Sequence, residues 1–177
     1  MRRLLGTLLL ISSLSSHLAY GCGDKLLVLG RPLMFTSRPA AILAYAPPGS
    51  FLQPLLSASQ WTGAITKGKH HLQVVETPEQ LAQILKTERF DVVLAVLADA
   101  AALRPQIAIA SYPAVVVPVL DGGSRDVFRS AEREYGVAMK GVAKSGDYLS
   151  AIGRAVDLRD RRAEAAAHEK KKRGKNS

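Results

Sequence analysis

The sequence predicts a three-layer α/β domain on a five-stranded parallel sheet. Three observations carry that expectation. Short apolar runs alternate five times with segments of helical spacing. The runs are apolar almost throughout, as strands covered on both faces must be. The stretches between them are short, which makes helices the crossovers that parallel neighbours require. With 177 residues, 47% of them apolar, the chain can bury one core and is too short for two domains.

Each element has its own justification. Ala40–Ala46 (AAILAYA) reads as a buried strand stopped by Pro47-Pro48-Gly49. Ser50 or Gln53 can then cap a helix that tolerates Pro54 in its first turn, with Leu55, Ala58, Thr62 and Ile65 on one apolar face and Gly68 at its end. His71–Glu76 (HLQVVE) is the second strand. Thr77-Pro78-Glu79-Gln80 opens the next helix with a capping box and a proline whose missing N–H costs nothing there, and Leu81, Ile84 and Leu85 face inward. Phe90–Leu97 (FDVVLAVL) is the most apolar run and so the central strand. Asp99 begins an Ala-rich helical stretch to Leu103, and Pro113–Leu120 (PAVVVPVL) is the fourth strand. Asp121-Gly122-Gly123 makes a turn, Ser124 caps a helix over Arg125–Tyr135, and Gly136–Val142 (GVAMKGV) is the fifth strand. Ser145 caps the last helix, with Asp147 in its first turn and Tyr148, Leu149, Ile152 and Val156 facing inward. Five such units fit the flavodoxin-like strand order 2-1-3-4-5.

Residues 1–39 stand outside this alternation. Arg2-Arg3, the apolar Leu4–Ile11 and a Ser-rich stretch form the regions of a bacterial export signal, with Ala19 and Gly21 as the small residues before Cys22. A membrane anchor is the rival reading, but the stretch is short for a span and His17 and four Ser dilute its end. Residues 1–21 are therefore expected to be a signal peptide or lipoprotein signal. Residues 22–39 form an N-terminal segment in which Lys25–Gly30 (KLLVLG) can add a strand. Leu18–Cys22 resembles a lipoprotein lipobox, with Ala19 where Leu is usual. Acylation of Cys22 and ordinary cleavage that leaves a free thiol both remain open; a single Cys cannot form a disulfide within the chain.

The net charge is +9, yet the body of the chain is nearly balanced. Residues 4–158 carry 14 basic and 12 acidic side chains, whereas 159–177 carry eight basic and three acidic ones. A nucleic-acid-binding domain would show a basic face along its elements, so no specific nucleic acid is expected. Residues 159–177 lack any large apolar side chain and read as a basic tail that can extend the last helix and frays past about Lys170. Lys170, Lys171, Lys172, Arg173 and Lys175 would attract an anionic membrane or envelope polymer.

The stretch HLQVVETPEQLAQILKTERFDVVLAVL resembles the second strand, second helix and third strand of response-regulator receiver domains, and YGVAMKGVAKSGDYLSAIGRAVDLR resembles their fifth strand and last helix. The resemblance covers residues 40–158 and rests on hydrophobic blocks. It implies that the acidic Mg²⁺-binding pair falls on Ala46 and Pro47, the phosphoacceptor on Val96 and the hydroxyl near Pro118 or Val119. Lys140 matches the family's lysine, and Gly141 replaces the proline after it. Aspartyl phosphorylation is therefore expected to be absent. The resemblance also implies a protein partner face within residues 125–156.

Other chemistry is sparse. Ligands of open α/β sheets bind beyond the carboxyl ends of the strands, where Asp99, Asp121 and Lys140 are expected to border a small crevice. Each also has an ordinary role: Asp99 as a helix cap, Asp121 as a turn residue, Lys140 as a surface charge. His70 and His71 are adjacent on a strand, point to opposite faces and make a poor metal pair. Neither a phosphate loop nor a dinucleotide fingerprint is present, Ser57 and Ser59 lack a nucleophile-elbow setting, and Trp61 suits packing. No catalytic set, cofactor or metal is expected. The expected function is a non-phosphorylatable protein-interaction module of the envelope, with a small-ligand-binding periplasmic domain and an enzyme of unrecognised type as alternatives.

Overall fold

A computed structural model describes residues 38–110 and 112–174. The expected export signal of residues 1–21, Cys22, Lys25–Gly30 and Lys175 lie outside the described residues. The elements are β1 (Ala41–Tyr45), α1 (Leu52–Ser57), α2 (Ser59–Gly68), β2 (His71–Val75), α3 (Pro78–Thr87), β3 (Val92–Val96), α4 (Leu97–Ala108), β4 (Val115–Leu120), α5 (Arg125–Tyr135), β5 (Met139–Lys140) and α6 (Ser145–Arg173). All strand pairs are parallel and the sheet order is β2-β1-β3-β4-β5, as the sequence predicts. The register sets Ile42 beside Val92, Leu94 beside Val117 and Leu120 beside Lys140.

The two-residue period of a strand divides the core. Ile42, Ala44, Val92, Leu94, Val115 and Val117 pack on one face against α1, α2 and α6. Leu43, Tyr45, Val93, Ala95 and Val116 pack on the other against α3 and α4. Burial of these strands on both faces explains why their sequences do not alternate. The capping box predicted at Thr77 is present: Gln80 N–H donates to Thr77 Oγ1 at 3.3 Å and Thr77 N–H to Gln80 Oε1 at 3.3 Å. Ser124 likewise accepts from Val127 N–H at 3.3 Å.

Several element details differ from the sequence expectation. The single helix expected with Pro54 in its first turn is two, broken where Ala58 turns extended (ψ 143°). Its buried residues are Leu52, Leu56, Trp61 and Ala64, while Thr62 is exposed. Leu52 and Trp61, nine residues apart, would lie on opposite sides of one straight helix, so the break lets both reach the core. Trp61 is fully buried and meets Tyr148 edge-on, 5.1 Å between centroids, which bears out its packing role. α4 starts at Leu97, so Asp99 lies inside the first turn and is not the cap. It also passes through Pro105 to Ala108 instead of stopping near Leu103, because Leu103 and Ile107 are both buried and packing outweighs the lost backbone bond. β5 is confined to Met139–Lys140, since Gly136 takes the left-handed cap of α5 (φ 86°). Lys144, not Ser145, caps α6: its N–H donates to Asp147 Oδ2 at 3.2 Å, while Ser145 Oγ donates to Gln60 O at 2.7 Å and ties α6 to α2. α6 stays helical to Arg173, past the expected fraying point at Lys170.

Candidate functional site

Two loops and a strand-to-helix junction meet beyond the carboxyl ends of β1, β3 and β4. After β1, Ala46 N–H donates to Val75 O at 2.9 Å, and Pro47-Pro48-Gly49 turns sharply with Gly49 at φ 81°. Ser50 Oγ accepts from Leu52 N–H at 3.2 Å and starts α1. After β3 the chain enters α4 without a loop, so Val96 is both the last strand residue and the helix cap. After β4, Asp121-Gly122-Gly123 turns with both glycines left-handed (φ 81° and 100°), a shape costly for a side chain bearing Cβ.

These segments enclose an open crevice of about 640 Å³. Its walls are largely apolar, formed by Pro47, Phe51, Val96, Leu97, Val119 and Val127. Among the described residues the charged side chains lining it are Asp99 and Asp121. Among the described residues neither carboxylate has a hydrogen bond or an ion pair. Tyr45, at the end of β1, has its phenol pKa pushed up, chiefly by burial and then by the charges of Asp99 and Glu79.

The structure thus brings Asp99 and Asp121 to one crevice and leaves Lys140 outside it. Lys140 lines an adjoining hollow of about 650 Å³ with Asp121, Ser124, Arg125, Phe128 and Val142. Its Nζ stands 5.4 Å from the Phe128 ring centroid, a cation–π contact. Gly141 follows, held by its N–H to Leu120 O at 2.7 Å. A Cβ there would come 3.1 Å from both Leu120 O and the Phe51 ring, so a larger residue would press on the crevice floor. Tyr148 OH donates to Gly141 O at 2.5 Å and accepts from Ala143 N–H at 3.1 Å, fixing the loop from β5 to α6.

A polar cluster that the sequence reading did not single out lies at the opposite end of the sheet. Asp91 is buried and accepts from Ala41 N–H at 2.8 Å, Arg38 Nη2 at 3.2 Å and Arg159 Nη2 at 3.1 Å. His70 is buried beside it, and its Nδ1 accepts from Ala40 N–H at 3.0 Å. His71 is exposed. β2 starts at His71, so His70 lies just before the strand rather than on it as expected, and among the described residues no three His, Cys, Asp or Glu side chains gather as for a metal. The signal for this cluster was present: Asp91 is the lone charge at the head of an apolar run, and Arg159 lies three residues beyond the inward-facing Val156.

No protein-family profile matches the sequence, and no curated protein matches it. Solved structures do. A CheY-like response regulator receiver domain protein from Methanospirillum hungatei JF-1 superposes with a TM-score of 0.50 at 11% identity, over 71% of this chain and 99% of that one. The fold is receiver-like. The pilus assembly protein CpaE from Caulobacter crescentus CB15 gives a TM-score of 0.43 at 12% identity, over 67% of this chain and 95% of that one. A putative CpaE2 pilus assembly protein from Sinorhizobium meliloti 1021 gives 0.40 at 9% identity, over 65% of this chain and 98% of that one. At such identities the likeness is one of fold. Within this receiver-like sheet, Val96 ends β3, Ala46 and Pro47 follow β1, and Lys140 ends β5.

Proposed function

We propose that the chain is a receiver-like protein-interaction module of the bacterial envelope that does not take a phosphoryl group. The observation that carries the reading is the side chain at the end of β3. Val96 has no oxygen to attack phosphorus, and Ala46 and Pro47 present no side-chain ligand to a hard cation. What such a fold retains is surface. Residues 125–156 span α5, β5 and the first turns of α6, and there Val127 is 44% and Val142 90% exposed, apolar side chains that suit a partner contact. The export signal read in residues 1–21 supports the envelope half of the proposal, and the basic residues from Lys170 onward support contact with an anionic surface.

Incubation with acetyl phosphate and Mg²⁺ tests the phosphoryl half. The expected result is no hydroxylamine-sensitive phosphate, and a phosphate on Asp99 would overturn the reading. Val142→Asp tests the interaction half: it should abolish cross-linking of the wild-type partner to this face without changing the melting temperature. Palmitate labelling of wild type against Cys22→Ser, with cell fractionation, tests the envelope half. The open crevice of about 640 Å³ favours a second reading, a small-ligand-binding domain that uses Asp99 and Asp121.

A further inference from the structure

We infer that the crevice beyond β1, β3 and β4 binds a small organic cation, an amine or guanidinium carried on an apolar body. The inference rests on the second, ligand-binding reading and adds the chemistry of the ligand.

The location is where a doubly wound sheet leaves room. β1 lies between β2 and β3, so the crossovers leaving β1 and β3 go to opposite faces and part at the carboxyl ends. The crevice opens at that parting and is about the size of a drug-sized ligand's pocket. Its walls set the body of the ligand. Phe51 from the loop after β1, Val96 and Leu97 from the β3–α4 junction and Val119 from β4 present apolar surface, which favours a compact hydrophobic group.

The charges set its head. Among the described residues the crevice is lined by Asp99 and Asp121 and by no Lys or Arg, although Lys140 and Arg125 line the hollow next to it. Asp99 is fixed in the first turn of α4, where its negative charge offsets the positive helix end that would otherwise favour an anion. Asp121 comes from the turn after β4, so the two carboxylates reach the crevice lining from two different elements. Neither is neutralised by a cation among the described residues. A ligand ammonium or guanidinium would supply the missing partner in a charge-assisted hydrogen bond, with its apolar body against the walls.

Three aromatic probes of one shape separate the outcomes: 2-phenylethylammonium, 2-phenylethanol and phenylacetate. Each is titrated at pH 7 and low salt into the isotopically labelled full chain, and backbone amide shifts are followed. The expected result is that the ammonium shifts the amides of Gly49–Phe51, Val96–Asp99 and Gly122–Gly123, and binds about ten-fold tighter than phenylacetate. Asp99→Asn and Asp121→Asn should each weaken it about three-fold and leave 2-phenylethanol unchanged. If one variant fails to fold, the other still reads the effect, and so does added salt, which should weaken the ammonium alone. Binding of the alcohol or the carboxylate in the crevice as tightly as the ammonium would overturn the cation and keep the ligand-binding reading. No crevice shift with any probe at about 10 mM would overturn both.

Discussion

His70 is a buried imidazole held as an acceptor. Its Nδ1 takes the Ala40 N–H, and its ring lies so close over Gly68 that a Cβ there would fall 2.2 Å from Nε2. Burial pushes its pKa below the ordinary histidine value, although the nearby Asp91 pulls the other way. Asp91 in turn faces Arg38 and Arg159, with Asp160 beside both arginines. The sign follows from proton counting. As pH falls through 6.5, the unfolded histidine gains a proton before the folded one does, so the stability carried by neutral His70 is full above that value and declines below it. Denaturant unfolding at pH 7.5 and 5.0 should show a larger loss for wild type than for His70→Asn, whose amide oxygen can accept the same N–H without titrating. Equal losses in the two proteins would show that His70 is not responsible. At this scale the sequence was only half legible. It placed His70 beside His71 on a strand, whereas β2 starts at His71, and the bond to Ala40 joins residues 30 apart and follows from the sheet register.

Elements were more legible because their causes are local. The Thr77 capping box and the Ser124 cap depend on side chains three residues away and were found where they are written. The Ala58 break and the continuation through Pro105 were missed because both are decided by what the core demands of Trp61, Leu103 and Ile107. Val93 tests the central strand: it is fully buried in β3, so Val93→Asp places an unpaired carboxylate in the core. The expected cost is about 4 kcal/mol or more, most of the stability of a domain at the low end of the ordinary range, so the melting temperature should fall sharply. A soluble variant with an unchanged melting temperature would contradict the two-sided burial. α6 offers a paired test. Residues 161–174 are exposed all round, whereas Arg159 ties the helix to Asp91. Deleting 163–177 should leave the melting temperature unchanged, while deleting 159–177 should lower it by ~5 °C, the equivalent of one to two partly buried ion pairs. Thermal scans of the two truncations decide it.

For the whole molecule, strand order was readable before the structure because parallel neighbours, short connections and right-handed crossovers leave few alternatives. The crevice was readable only as a location. Asp99 and Asp121 share it, yet Lys140 turns to Phe128 and the adjoining hollow, a choice fixed by side-chain direction rather than strand order. The charge distribution yields a prediction at this scale. If the basic end of α6 alone holds the protein to membranes, washing with high salt should release it completely, because such attraction is screened within a Debye length. An acyl chain on Cys22 would resist the same wash, and sedimentation of washed membranes tells the two apart. The register has one more consequence, for time. Each β1 pairing bridges a long stretch: Ile42 meets Leu72 on one side and Val92 on the other. A nascent chain therefore holds no pair of β1 until the first crossover is made, and lacks the β1–β3 pair until Val92 has emerged. Refolding should be limited by closing these long loops, on the millisecond-to-second scale of topologies poor in local pairing. Until they close, the chain remains threadable.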